Sequence, residues 1–299
     1  MIPEFPKFKH LELTDREDVM QYTSKFLPYS DFNFVSMWSW DTEEKIMLSQ
    51  LNGNLVVKFS DYVTGEPFFS FIGENNVEET ISLLIDQAKS EGIIPVLKLV
   101  PEEAVKQITS SSALPIKEDR DNFDYVFSTE SLATMAGAKL ASKRNYIKRF
   151  KRDYSFEFCI LDFKNKDIQR EVLNLSNAWA TFKGISNDYL SHEMKAIERY
   201  FEMDDYSNHR LWGIRIKGEL VAFWAVEILG GGYSISHFQK GMSNLFRGIY
   251  PVLYQVGAEA LLSENALWIN LEQDLGVLSL REGKMDYNPS SYLEKFMAG

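Results

Sequence analysis

One cysteine, Cys159, stands in a chain of 299 residues, so no intrachain disulfide can form and a disulfide-built scaffold is excluded. The four histidines (His10, His192, His209 and His237) are too scattered for the HExxH or HxxxH spacing of a zinc site, and no metal is expected. There is no CxxC pair, Walker loop, GxSxG turn or GxGxxG turn, so the commonest enzyme signatures are missing. No window approaches about 18 uninterrupted apolar residues, so no membrane span is expected. The opening MIPEFPKFKHLEL has neither a basic n-region nor an apolar h-region, so no signal peptide is expected. A cytoplasmic location fits these absences. Basic charge is also short: 32 Lys and Arg face 43 Asp and Glu, for a net charge of −11. That argues against a broad nucleic-acid footprint, while leaving room for a local basic patch.

What is present is ordinary globular composition: 45% hydrophobic, 14% aromatic and 25% charged residues. At about 150 residues per domain, the length suggests two compact domains or one large one.

The order of elements is more informative. Thr14 or Asp15 can cap a helix whose apolar positions Val19, Tyr22 and Phe26 recur at helical spacing. Phe32, Phe34, Trp38 and Trp40 follow, as core packing or as a pocket wall. Asn52-Gly53-Asn54 joins a strand pair, Lys45–Leu51 and Leu55–Phe59, and Pro67–Ile72 is a third strand. Val77–Glu91 reads as a helix, with Ile81, Leu84, Ile85 and Ala88 as its stripe, and Ile93–Val100 as a buried strand. The second half repeats this order. Helices at Arg170–Lys183 and Ser191–Met203 precede strands at Leu211–Ile216, Leu220–Leu229 and Tyr233–Gln239. A helix at Ile249–Ser263, a strand at Ala266–Leu271 and a terminal helix over 289–297 complete it. Helix, antiparallel hairpin, third strand, helix, strand is the order of the N-acyltransferase fold. Two copies fit the length: residues 1–127, and residues 128–299 beginning with a basic helix. The expectation is therefore α/β, with mixed sheets, in two tandem GNAT (acyl-coenzyme A N-acyltransferase-like) domains. Such a fold does not by itself specify a reaction.

Residues 128–154 contrast with the acidic whole, carrying seven Lys and Arg against only Glu130 and Asp153. Ala136, Leu140, Ile147, Phe150 and Tyr154 can pack one side, leaving cations for an anion. Lys143, Arg144, Asn145 and Lys148 are the candidate polyanion contacts, toward tRNA, coenzyme A phosphates or an anionic membrane surface. A solvated charged face is the alternative.

Late in the chain, polar residues concentrate in Ser236–Lys240, Phe246–Tyr250, Asn270–Gly276 and Leu280–Pro289. Acyl transfer passes through a tetrahedral oxyanion that a fixed cation or backbone N–H can stabilise. The nucleophile also needs a base within reach. Lys284 is the candidate oxyanion cation; Glu272, Asp274 and His237 are candidate bases; Arg281 is the candidate donor-phosphate contact. Gln239, Lys240, Arg247, Gly248, Tyr250 and Asn270 are placed by the expected fold around the same crevice, with a helix N-terminus near Gly248 as an anion site. The competing readings are surface ion pairs for Glu272 and Asp274, and a core histidine for His237. Cys159, between Phe158 and Ile160 in an expected buried strand, is a core residue.

Lys143-Arg144-Asn145, the INLEQDLG run (269–276) and LREGKMDYNP (280–289), in this order, resemble the phosphatidylglycerol lysyltransferase C-terminal-like family over essentially the whole chain. The resemblance implies tandem acetyltransferase-like domains similar to Fem-type aminoacyl transferases. It implies transfer of an amino acid from aminoacyl-tRNA to a lipid or other small hydroxyl or amine acceptor, with no cofactor required. It also implies roles for Lys284, Arg281, Glu272 and Asp274, and places His237 and Lys240 where lipid transferases carry polar site residues. Leu271 stands where Arg is expected and Gln239 where Glu is expected, and the sequence holds no counterpart of the lipid transferases' membrane-embedded half. The alternatives are an acyl-coenzyme A N-acyltransferase, although Arg247-Gly248 is only a fragment of a pyrophosphate loop, and a non-catalytic anion-binding protein.

Overall fold

Asn52 and Gly53 both take positive φ (54° and 78°), the requirement of a tight hairpin turn. They join Met47–Leu51 to Asn54–Ser60, with Leu51 opposite Asn54. The computed structural model describes residues 1–61, 64–110, 112–185 and 187–299, and of Asn187, Asp188 and Tyr189 only the backbone. The chain divides into two units. The first is Met1–Asp124 with Gln273–Val277 and Tyr292–Gly299; the second is Tyr125–Glu272 with Leu278–Ser291.

In the first unit the hairpin lies between Lys9–His10 and Pro67–Ile72 in a four-stranded antiparallel sheet. Helix Val77–Ser90 lays Ile81, Leu84 and Ala88 against Val56, Phe69 and Phe71. Phe32 and Phe34 are buried, so the early aromatic run is core at its start. Strand Leu97–Pro101 joins a separate sheet, in which Lys295–Ala298 lies between it and Ile116–Glu118, antiparallel to both. This corrects the expected terminal helix: residues 291–293 and 295–298 are strands. Local spacing there suits a helix, but unpaired strand edges and a buried charge partner decide otherwise. That partner set is Lys295 with Asp31 and Asp124, all essentially without solvent exposure.

The second unit is a meander followed by a crossover. Glu157–Ile160, His209–Ile216, Glu219–Ile228 and Tyr233–Gly241 run antiparallel in sequence order. Asn165 caps helix Lys166–Lys183 by accepting from the Asp167 and Ile168 N–H groups, which starts it earlier than its apolar stripe suggests. Helix Ile249–Ser263 carries the chain to Trp268–Asn270, which pairs parallel with Tyr233–Ile235 and antiparallel with Val126–Ser128. Cys159 lies on the edge strand, half-buried rather than in the core, and burial raises its thiol pKa.

Gly257 fixes how closely that helix meets the sheet. A Cβ there would lie 2.6 Å from the Trp224 ring. Overpacking of this kind costs about 1–3 kcal/mol, against a helix-propensity gain of about 1 kcal/mol. Gly257→Ala is therefore expected to lower the urea midpoint; an equal or higher midpoint would show that the ring moves aside freely.

Candidate active site

The strand Tyr233–Gly241 forks away from its parallel neighbour. Tyr233, Ser234 and Ile235 face Trp268, Ile269 and Asn270. Beyond Ile235, among the described residues, the strand keeps only Glu219–Ile228 as a strand partner. The neighbouring chain turns off at Leu271, whose N–H donates to the Tyr125 carbonyl at 2.9 Å. Parting strands at a carboxyl end leave a crevice, a common ligand position in open α/β sheets.

A bulge sorts the side chains. Ala225 faces Phe238 but Val226 faces Ser236, so His237 is the extra residue. His237 and Phe238 therefore share a face, both against Tyr200 with ring centroids 5.7 and 5.5 Å away. His237 Nε2 lies 3.3 Å from a Glu227 carboxylate oxygen, and its ring stacks on His209. It is a buried histidine beside a buried carboxylate. Lys240 points toward the same helical layer. Its Nζ donates to Glu193 at 2.6 Å and sits 4.2 Å from the Trp179 ring centroid, so this cation already has a carboxylate partner.

Tyrosines collect on the other side of the fork. The Tyr250 hydroxyl accepts the Gly241 N–H at 3.2 Å. Tyr254 lies beside Gln239 and meets Tyr287 edge-on, 4.8 Å between centroids. Lys143 Nζ lies 4.4 Å from the Tyr287 centroid and 3.2 Å from Asp286. Burial pushes the Tyr250 phenol up to about 12, with the nearby Gly241 amide and Trp179 indole opposing it. Burial also raises Tyr254 and Tyr287. All three keep their protons at neutral pH. Because folding holds these protons more tightly than the unfolded chain does, their contribution to stability is complete below about pH 10 and lost above it. In an alkaline titration, phenolate absorbance from these tyrosines is expected only together with unfolding; reversible ionisation near pH 10 in all fourteen tyrosines would contradict their burial.

Lys284 is buried, and its Nζ donates to the carbonyls of Leu271 (2.6 Å) and Glu272 (3.0 Å), 5.5 Å from the Tyr125 centroid. The ammonium thus holds the loop leaving the fork, whose Glu272 takes a left-handed φ of 59°. Asn270 is wholly buried and accepts the Glu272 N–H at 2.7 Å, so it shapes the same loop. Arg281 shares the helix Leu278–Met285 with Lys284, one turn earlier and half-buried. Asp274 parts from this group. It belongs to the first unit, accepts the Gly276 N–H and lies 3.6 Å from Arg120. The acidic pair of the INLEQDLG run is thus divided between the units, and Asp274 shapes the turn at Gly276.

The basic helix is Ala141–Asp153. Lys143 turns inward to Tyr287, and Arg144 donates to the Met135 and Gly137 carbonyls, so neither is an open anion contact. Asn145 and Lys148 are exposed. Arg247 is exposed too; it donates to the Tyr146 hydroxyl at 3.1 Å. Gly248, at φ 97°, caps Ile249–Ser263, and a Cβ there would lie 3.0 Å from the Tyr146 carbonyl oxygen. Sequence reading missed Glu193, Trp179 and Tyr254, because nothing in their spacing ties them to residues 239–250. Tyr287 stood inside a run already singled out.

Among the described residues no group of three or more His, Cys, Asp or Glu could hold a metal, and no helix is long and apolar enough to cross a membrane. The mixed sheet, its fork and the crossover helix define an acyltransferase-like α/β fold. Residues 25–299 match the family described as phosphatidylglycerol lysyltransferase, C-terminal, and the chain belongs to that family. A conserved protein of unknown function from Bacteroides thetaiotaomicron is similar over 100% of this chain and 99% of its own, at 25% identity and a TM-score of 0.82. The C-terminal domain of a putative lysylphosphatidylglycerol synthetase from Agrobacterium fabrum is similar over 96% of this chain and 90% of its own (14% identity, TM-score 0.64). The L-PGS structure from Bacillus licheniformis is similar over 100% and 93% (14%, 0.63). The curated proteins contain no match.

Proposed function

We propose that the second unit carries an acyl-transfer site at the fork, with aminoacyl-tRNA as donor and a lipid or other small hydroxyl or amine compound as acceptor. The observation that carries this reading is the set of protonated phenols, Tyr254 and Tyr287 buried and Tyr250 half-buried, gathered where the two parallel strands part. In such a step the acceptor oxygen or nitrogen attacks the ester carbonyl. The carbonyl oxygen takes the electron pair, and collapse breaks the ester bond to the ribose oxygen. The acceptor's proton leaves through a base, and the ribose oxygen gains one. Phenol O–H donors in a dry crevice can stabilise the oxyanion without reorganising. Lys284 acts here through the loop it holds, as a positioning residue. The repeated order of helix, meander, helix and strand supports reading the two units as tandem acetyltransferase-like domains, with no cofactor needed. The donor's chemistry places the work in the cytoplasm.

An acyl-coenzyme A donor has less support. The backbone at Gly248, where a pyrophosphate would approach, already lies against the Tyr146 carbonyl. The test is to incubate the protein with a mixture of radiolabelled aminoacyl-tRNAs and a lipid and amine extract. The expected result is label moving from tRNA into a new small product. If every charged tRNA stays intact while acetyl-coenzyme A binds at micromolar concentration, the donor assignment is wrong.

A further inference from the structure

The C-terminal half of the basic helix builds a concavity that the fork does not use. Tyr146, Arg149 and Asp153 recur at three and four, one stripe of the helix, and Arg152 flanks them. Together with Tyr154 and Arg247 they line a cavity of about 410 Å³, within the size range of small-ligand pockets. The cavity is held in shape. The close approach at Gly248 brings the 242–248 loop against the helix backbone, and the Tyr154 hydroxyl donates to the Leu245 carbonyl at 3.3 Å. Phe246 packs edge-on against the Tyr154 ring, 5.2 Å between centroids.

Its chemistry is three guanidinium groups beside two phenol rings. Arg247 lies 5.2 Å from the Tyr146 centroid, within cation–π reach of that ring. Arg152 shares its charge with Asp153 at 2.7 Å, so the cavity keeps a net positive charge, with exposed Lys148 on the same helix adding to it. The Arg247 hydrogen bond, and then its charge, lower the Tyr146 phenol pKa. Arginine forks recognise phosphate, and aromatic or guanidinium planes stack bases. A flat lipid surface would need a projecting face, whereas this one is recessed.

We infer that the Tyr146–Arg149–Arg152–Arg247 cavity docks the single-stranded end of an RNA, phosphates on the arginines and a base on the Arg247–Tyr146 pair. The inference rests on the aminoacyl-tRNA reading above and gives that donor a place to dock. It moves the polyanion contact from Lys143 and Arg144 to the other end of the helix.

The test is fluorescence anisotropy with a labelled short single-stranded RNA ending in CCA, at low and at physiological salt. Arg149 and Arg152 are exposed, so their replacement leaves the fold intact. Arg149→Ala/Arg152→Ala is expected to weaken binding and to flatten the salt slope by about 1.4, two contacts at about 0.7 each on single strands. Tyr146→Leu is expected to weaken binding about five- to a hundredfold with the slope unchanged, and Tyr146→Phe to restore it. Unchanged affinity and slope in the double-arginine variant would overturn the inference. So would wild-type protein that ignores the RNA but binds phosphatidylglycerol vesicles through the same arginines. Binding needs no transfer: if the RNA binds through these arginines and no charged tRNA is ever consumed, the transfer reading falls and the docking site stands.

Discussion

Lys295→Met is expected to lower the stability of the first unit by about 3–5 kcal/mol at pH 7, the cost of leaving buried charge unpaired. Lys295 Nζ ion-pairs with Asp31 and, at 2.8 Å, with Asp124. Ser30 binds the same group: its N–H and hydroxyl donate to the two Asp124 oxygens at 2.7 and 2.6 Å. Gln273 closes the set, 2.7 Å from the Ser30 hydroxyl and 3.4 Å from Asp31. Burial raises the Asp31 carboxyl above the usual carboxylate range, Lys295 opposes that, and Asp124 adds to it. For Lys295, burial alone would lower the pKa, but the two carboxylates raise it. Without the lysine, the Asp31 carboxyl would lose the cation that opposes its burial and would bind its proton more tightly than in the unfolded chain. Such groups destabilise above their unfolded value of about 4, so the deficit should shrink as pH falls toward that value. Urea unfolding of wild type and variant across this range is the measurement. A deficit independent of pH would mean that lost packing, not unpaired charge, is what the substitution costs.

The second large effect concerns transfer. Lys284→Ala is expected to abolish it, because the carbonyls of Leu271 and Glu272 lose their common donor and the loop leaving the fork is no longer held. Tyr250→Phe is expected to lower the rate constant about 10²–10³-fold, the scale of one oxyanion donor, with donor affinity little changed. The two should differ in a second readout. Lys284 is buried, and its removal should also cost about 1.5–3 kcal/mol, the worth of charged hydrogen bonds, whereas Tyr250→Phe should cost about 0.5–1.5 kcal/mol, the one neutral bond it accepts from the Gly241 N–H. Transfer assays paired with urea curves separate the roles. Full transfer in Lys284→Ala would remove this residue from the site altogether.

Much of the scaffold was legible along the chain, and the reasons are local. Asn52-Gly53 can adopt the positive φ of a hairpin, Ile81, Leu84 and Ala88 repeat at helical spacing, and Leu211–Ile216 carries the apolar run of a central strand. The basic helix was visible from composition, and the family from three ordered motifs. The site was less legible because it depends on register and on partners far away in sequence. One inserted residue at His237 set its ring against Glu227 and Lys240 against Glu193, 47 positions away. The two carboxylates of one short motif, Glu272 and Asp274, went to different units. The terminal segment shows the same division of causes. Its spacing suits a helix, yet the edges of Leu97–Pro101 and Ile116–Glu118 need backbone partners, and Asp31 and Asp124 need a buried cation. Outside that terminal segment, sequence periodicity determined most of the helices and strands, and the sequence determined which residues were available for chemistry. Only the tertiary structure decided which of them meet, because hydrogen bonding and charge burial are settled between segments, not within them.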